Sequence, residues 1–270
     1  MIRVIKIGGR PQLDPKLPAA VAAAFRAAPT ASTSHDHGRD TLSHDGLIVV
    51  HGGGDEVSTL QKLYGTTAQF RDGRRVTSAT DLEIIRMTLS GSANKRIVSS
   101  LVSLGVAAIG ISGEDANALG AKPLDLEGFG YVGVPATVNT NLIEYLMTGG
   151  YLPVISPVSR STDEDAGVVL NVNGDDAAAK IAIAMHADEL LFVSDVEGVL
   201  ANGEAVKELD PDAAQRLIDD GTAQGGMAAK IRAALAALEG GVERVRISDI
   251  AAIEQLGRGT LLSRVGSTCP

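Results

Sequence analysis

Lys6 interrupts a run of apolar, largely β-branched residues and is followed at once by Ile7, Gly8 and Gly9. A cation and two amides free of side chains therefore arrive together. Glycine lets backbone N–H groups come close to phosphate oxygens, and lysine adds a point charge beside a group being transferred. A plain strand and turn would look the same over four residues. The next apolar run ends in His51-Gly52-Gly53-Gly54, with Asp55, Glu56 and a helical pattern behind it. That places free N–H groups at a helix N-terminus, a ready anion site. His-Gly-Gly-Gly also forms the oxyanion hole of lipase-type hydrolases, but the chain has no Gly-x-Ser-x-Gly nucleophile elbow. A Gly-x-x-x-x-Gly-Lys-Ser/Thr loop is absent too, so any phosphate would have to be cradled in another way.

Four further segments carry candidate chemistry. Gly73-Arg74-Arg75-Val76-Thr77 offers a guanidinium whose fork matches a carboxylate, and Arg75 is the candidate for it. A solvated turn arginine is the plain alternative. In Leu170-Asn171-Val172-Asn173-Gly174-Asp175 the two asparagines alternate on extended chain, point the same way and can both donate to a bound acyl amino acid. Asp175 is suited to cap or begin the helix that follows. Ser194-Asp195-Val196-Glu197-Gly198-Val199-Leu200 leaves another buried run and puts Asp195 where a nucleotide should sit. Gly225-Gly226-Met227-Ala228-Ala229-Lys230 sets a lysine just inside a helix with a glycine-rich start, although an exposed helix lysine would look alike. His35, His37 and His44 read as part of a Ser/Thr/Asp-rich surface insertion over 28–45 rather than as a metal site.

The elements that must position these residues alternate. Apolar runs at 4–7, 47–50, 106–111, 152–155, 190–193 and 245–247 read as buried parallel strands. Helical composition fills 19–28, 56–64, 82–104, 141–149, 176–186, 213–220 and 227–238. This order predicts an α/β protein, a three-layer αβα sandwich with a mostly parallel central sheet. Strand edges of such sheets are where ligands bind. Two stretches, 66–77 and 122–138, break the rhythm with glycine turns and read as hairpins over a site. A lobe junction is expected within 156–166. It divides the chain into 1–160 and 161–270.

Composition narrows the class. At 270 residues the chain can bury a sizeable core. A net charge of −9 and the absence of Trp argue against a nucleic-acid surface. The one cysteine, Cys269, cannot build a disulfide framework or a cysteine zinc site, which suits a reducing compartment and predicts a cytoplasmic protein. Met1 opens on an apolar run too short for a signal peptide, and no stretch is apolar enough to span a bilayer. Neither a membrane nor a nucleic acid is expected as a partner.

Taken in order and spacing, 6–9, 51–54, 73–77, 171–175, 194–200 and 226–230 resemble the amino acid kinase family over nearly the whole chain. The resemblance implies that family's fold and ATP-dependent phosphorylation of the side-chain carboxylate of N-acetyl-L-glutamate, with Mg2+ held mainly by the nucleotide. It implies that Lys6 and Lys230 stabilise the transferring phosphoryl group, that Asp175 orients both lysines, and that Gly8, Gly9, Gly52, Gly53 and Gly54 line the phosphoryl path. Arg75 and Asn171 would hold the acyl amino acid. By the same resemblance the lobe 1–160 would carry acyl amino acid binding and dimerisation, and the lobe 161–270 ATP binding. Asp195, Val196, Glu197, Gly198, Val199 and Leu200, with Thr222, Ala223 and Gln224, would contact ATP. Two departures stand out: Arg10-Pro11-Gln12 where relatives carry apolar residues, and Ser112-Gly113-Glu114-Asp115-Ala116-Asn117 on the substrate wall. Arginine-inhibited hexameric relatives place a helix before the first strand, and its absence here predicts a homodimer insensitive to arginine. Two other readings share the motifs. One is a kinase for aminoadipate or glutamate carried on an acidic carrier protein; the other is a nucleotide or amino-acid sensor without activity.

Overall fold

The computed structural model describes residues 1–28, 33–36, 39–42, 46–71, 73–163, 168–201 and 203–264, with only the backbone course of 33–36 and 39–42. The insertion read at 28–45 is thus covered only by Ala28 and the hairpin Thr33–Asp36/Arg39–Leu42. The side chain of His35, and His37, His44 and Cys269, lie outside the described residues.

Eight strands form the central sheet: β1 (Ile2–Ile7), β2 (Gly46–His51), β3 (Ala108–Ser112), β4 (Leu152–Ser156), β5 (Glu189–Val193), β6 (Glu208–Leu209), β7 (Arg244–Ser248) and β8 (Thr260–Leu262). Their order is β6-β8-β7-β5-β1-β2-β4-β3. Every pairing is parallel except β7 with β8. The first four strands in the chain make one half of the sheet and the last four the other, meeting where β1 lies beside β5. Strand order reverses about β1, and open parallel sheets bind ligands at such a switch point, beyond the carboxyl ends of the strands.

Helices cover both faces: α1 (Leu17–Ala27), α2 (Gly54–Leu63), α3 (Ala79–Ile85), α4 (Asn94–Ser103), α5 (Thr140–Thr148), α6 (Gly174–Ala184), α7 (Pro211–Asp219) and α8 (Gly225–Glu239). Side chains alternate across a strand, and the two cores follow that alternation. Val4, Ile48, Val50, Leu190 and Phe192 pack with the alanine-rich α6 and with Ile231 and Ala234 of α8. Ile5, Ile7, Leu47, Val49, Leu191 and Val193 pack with Leu17 and Val21 of α1 and Ile97 and Leu101 of α4. Lys6 shares the face of Val4 and therefore looks toward α6 and α8; His51 shares the face of Val49 and looks toward α4.

The helix expected over 82–104 is three segments in series. α3 is capped by a reciprocal Ser78–Asp81 box, and between α3 and α4 the stretch Arg86–Ala93 takes the wider π winding. Its Leu89 closes on Gly53, where an added Cβ would lie 2.7 Å from Leu89 Cδ2. The hairpin Gln69–Arg71/Arg74–Val76 falls within 66–77 as expected. The second expected hairpin is larger. Leu119–Pro123 and Val132–Val138 join Val158–Ser161 and Val169–Val172 in a closed four-stranded barrel, and the junction expected at 160/161 falls inside one of its strands. Gly128, Gly130 and Gly133 stand in Gly-x-Gly-x-x-Gly spacing, but on the connection into a barrel strand rather than at the opening of a helix, which is not the dinucleotide-binding setting.

Candidate active site

β1 ends at the switch point and delivers Lys6, 6% exposed, beneath the N-terminus of α6. The chain enters α6 from the barrel strand Val169–Val172. Asn173 caps the helix, its Oδ1 accepting from Asp175 N at 2.8 Å and Asp176 N at 3.4 Å. The cap is Asn173 rather than Asp175, so Asp175 falls in the first turn, where the helix dipole favours an anion. Its carboxylate meets two cations. Lys6 Nζ lies 2.6 Å from Oδ1, and Lys230 Nζ, from the second turn of α8, lies 3.6 Å from Oδ2. Burial alone would push the Asp175 carboxyl up, but the Lys6 and Lys230 ammonium groups outweigh it and hold the pKa below the ordinary carboxylate range. Burial pulls the Lys230 ammonium down from its ordinary value, with Asp175 opposing and Lys6 reinforcing. The trio holds two positive charges against one negative, leaving a net cation facing a cavity.

That cavity, of about 720 Å3, gathers Lys6, Gly8, Gly9, Gly52, Gly53, Gly54, Arg75, Asn171, Asn173, Asp175, Asp195 and Lys230 along one wall or another. Gly53 has φ +153°, backbone that disfavours a side chain, and α2 begins immediately after it. The first N–H groups of a helix have no partner within it and suit an anion, and Gly53, Gly54 and Asp55 line the cavity. Val196, Glu197, Gly198, Val199, Leu200, Thr222, Ala223 and Gln224 are not part of the lining. Val199 is buried with its N–H donating to Thr260 Oγ1 at 2.8 Å, and Glu197 pairs with Arg258 at 2.7 Å.

Arg75 and Asn171 line the cavity already engaged. The Arg75 guanidinium donates to Gln61 Oε1, to Gly54 O at 2.9 Å and to Ser58 Oγ at 2.9 Å, and lies 4.7 Å over the Phe70 ring. Burial draws its pKa down, with Asp81 and Asp55 opposing. Its hydrogen-bond partners are neutral, so only the more distant Asp81 and Asp55 carboxylates offset part of its charge. Asn171 Nδ2 donates to Thr77 Oγ1 at 3.1 Å, which ties the barrel to the hairpin that carries Arg75. Arg74 reaches the other way, pairing with Asp176 at 2.7 Å. At the mouth, Arg10, its side chain 74% exposed, donates to Asp195 Oδ2 at 2.9 Å, and its Nε stands 3.7 Å from Asp55 Oδ2.

Sequence reasoning missed the residues behind the glycine loops. Gln12 donates to Gly8 O and Gly52 O, and Asn94 to the ring of His51. The available signals were polar side chains close to the glycine motifs, Gln12 after Gly8-Gly9 and Asn94 in Gly91-Ser92-Ala93-Asn94-Lys95. His51 is fully buried, with Nε2 accepting from Asn94 Nδ2 at 3.1 Å and Nδ1 against Gly52 O at 2.9 Å. Burial, against the Gly52 hydrogen bond, pushes its pKa down to about 4, so it stays neutral at working pH. The unfolded chain takes up a proton near pH 6.5 that the folded chain refuses until about pH 4. Stability is therefore full above about pH 6.5 and falls toward pH 4, by at most about 3 kcal/mol from this group. Urea unfolding at pH 7 and pH 4.5 measures the loss, and His51→Asn, which cannot charge there, is expected to flatten it. The ionised form of Asp175 withdraws its contribution only below the ordinary carboxylate range, so it does not mask this window.

A model of the amino acid kinase family matches residues 1–249. The acetylglutamate kinase of Chloroflexus aurantiacus is 39% identical over 258 residues, 95% of each chain. That of Campylobacter hominis is 41% identical over 202 residues, 74% of this chain and 70% of that one. Among solved structures, smu.665 from Streptococcus mutans superposes with a TM-score of 0.82 at 27% identity, covering 97% of this chain and 98% of that one. Carbamate kinase from Giardia lamblia bound to AMP-PNP superposes with a TM-score of 0.70 at 13% identity, 97% of this chain on 98% of that one, a likeness of fold alone.

Proposed function

The chain belongs to the amino acid kinase family, and on that premise we propose that it transfers the terminal phosphoryl group of ATP to the side-chain carboxylate of N-acetyl-L-glutamate, giving ADP and an acyl phosphate. This is a step of arginine biosynthesis. The observation that carries the reading is the convergence of Lys6 and Lys230 on one carboxylate, Asp175, beside two glycine loops that line the same cavity. Relatives named acetylglutamate kinase at about 40% identity over most of the chain support the choice of acceptor.

The acceptor carboxylate, with an ordinary pKa of about 4.3, is ionised at neutral pH, so the reaction needs no general base. Repulsion between anions is the barrier. Catalysis then consists of alignment and of cations placed where charge spreads over the group in transit. Lys6 and Lys230 supply those cations, Asp175 fixes their separation, and the Gly8, Gly9, Gly52, Gly53 and Gly54 amides line the path. Arg75 and Asn171, with Asn173, hold the acyl amino acid, and Asp195 stands on the nucleotide side, followed by the run from Val196 to Leu200. Thr222, Ala223 and Gln224 belong to that side as well. Mg2+ bound to ATP would supply positive charge against that of the phosphates. This reading leaves the ion to phosphate oxygens and water, as is usual for a hard cation that travels with a nucleotide. Action as a homodimer in the cytoplasm, with the acceptor bound by 1–160 and ATP by 161–270, is part of the same proposal. Among the described residues no helix is long and apolar enough to cross a membrane.

The test is trapping of the acyl phosphate by hydroxylamine with ATP and Mg2+, comparing N-acetyl-L-glutamate, free glutamate and N-acetylaminoadipate. Hydroxamate from the first, well above the other two, is expected. Equal yields, or none, would remove the assignment of the acceptor.

A further inference from the structure

Gln12 sits behind the two glycine loops, 7% exposed, in a short 3-10 helix, Arg10–Leu13, that opens on the exposed Arg10. Its Nε2 donates to Gly8 O at 3.1 Å and to Gly52 O at 2.8 Å. One carboxamide thus holds two carbonyls that lie 44 positions apart in the chain. The loops themselves abut: a Cβ on Gly9 would lie 3.7 Å from Gly54 N. Gly52 O has a second donor. Because Asn94 Nδ2 faces both Val154 O, at 2.9 Å, and His51 Nε2, the ring accepts there and carries its proton on Nδ1, 2.9 Å from Gly52 O.

A trans peptide is planar, with its C=O and the following N–H on opposite sides. A carbonyl drawn toward Gln12 therefore turns the next amide the other way. The amides following Gly8 and Gly52 are those of Gly9 and Gly53. All four glycines line the cavity with Lys6, and among the described residues no hydrogen bond engages the Gly9 or Gly53 N–H. We propose that Gln12 is a positioning residue for phosphoryl transfer, its carboxamide pinning the Gly8 and Gly52 carbonyls outward so that the Gly9 and Gly53 N–H groups stay aimed at the group in transit. Donors held in place before the reaction lower the barrier without reorganising during it. The inference rests on the kinase reading given above and adds to it the residue that sets the glycine amides.

Gln12→Met keeps the length of the side chain and removes both donors. Turnover is expected to fall about 10- to 100-fold, a modest part of the loss seen when an oriented donor is deleted outright, with the KM for ATP and for the acceptor within about threefold of wild type. Affinity for ADP with Mg2+ should hardly change, whereas the extra tightness gained on adding aluminium fluoride, a mimic of the phosphoryl group in flight, should drop by about tenfold. Gln12→Glu at neutral pH should resemble the methionine variant and regain turnover as pH falls, because a protonated carboxyl donates one hydrogen bond and a carboxylate none. A residue that only ties the loops together would lower the melting temperature and leave the fluoride-dependent gain intact; that result overturns the proposal. So does a pH profile of Gln12→Glu parallel to wild type, or a wild type that gains no affinity from fluoride. Absence of hydroxamate from N-acetyl-L-glutamate with wild type would instead strike the acceptor assignment, since the nucleotide and fluoride measurements need no acceptor.

Discussion

Lys230→Ala is expected to lower turnover by about 100- to 1,000-fold, the range observed when one preorganised charge-stabilising donor is removed from an active site. Lys230 contributes little that the fold needs. It lies inside α8, where alanine is the better helix former, and Asp175 keeps its closer partner Lys6 at 2.6 Å when Lys230 is gone. Melting temperature should therefore move by a few degrees at most while kcat collapses. The KM for ATP should rise far less than kcat falls, because the charge that Lys230 meets is greatest in transit. Steady-state kinetics with a coupled readout of ADP decides it; turnover within threefold of wild type would remove Lys230 from the chemistry.

Asp175→Asn is expected to harm both stability and rate. The substitution keeps the shape but leaves two buried ammonium groups, now 2.6 and 3.6 Å from a neutral amide, with no counter-charge between them. Removing one partner of a buried ionic cluster costs about 3–5 kcal/mol, read as a shift in the urea midpoint at unchanged slope. A second substitution separates charge from packing. Adding Lys6→Met to Asp175→Asn should recover part of the lost stability, since it removes one of the stranded charges, while activity stays low. Stability that drops further in the double variant would rule out stranded charge as the cause of the loss.

The central sheet was legible because its strands are buried on both faces and so read as unbroken apolar runs; 4–7, 47–50, 152–155 and 190–193 all fall inside β1, β2, β4 and β5. Lys6 was legible for the same reason, as a charge inside such a run. The barrel was only half legible. Val158–Ser161 and Val169–Val172 are only four residues each, too short to show a strand period, although Val158, Leu170 and Val172 are buried in the cores. The π-wound Arg86–Ala93 lies inside the run read as helix; its Thr88, Ser90, Gly91 and Ser92 weaken helix propensity but do not distinguish π from α winding. Arg75 was legible as a cation near a turn but not as one already bound to Gln61, Gly54 and Ser58. Gln12 was out of reach for a sharper reason: its partners are main-chain carbonyls, which every residue carries, so sequence alone names no partner for it.

Arg10 reaches from behind β1 to Asp195 on one side and toward Asp55 on the other, across the opening. A shared guanidinium so open to water costs little to let go, at most about 1 kcal/mol per partner, and less in salt. The threshold it spans can swing aside as fast as a surface side chain rotates, in picoseconds to nanoseconds. Admission of a polyanion need not wait for the body of the molecule to rearrange.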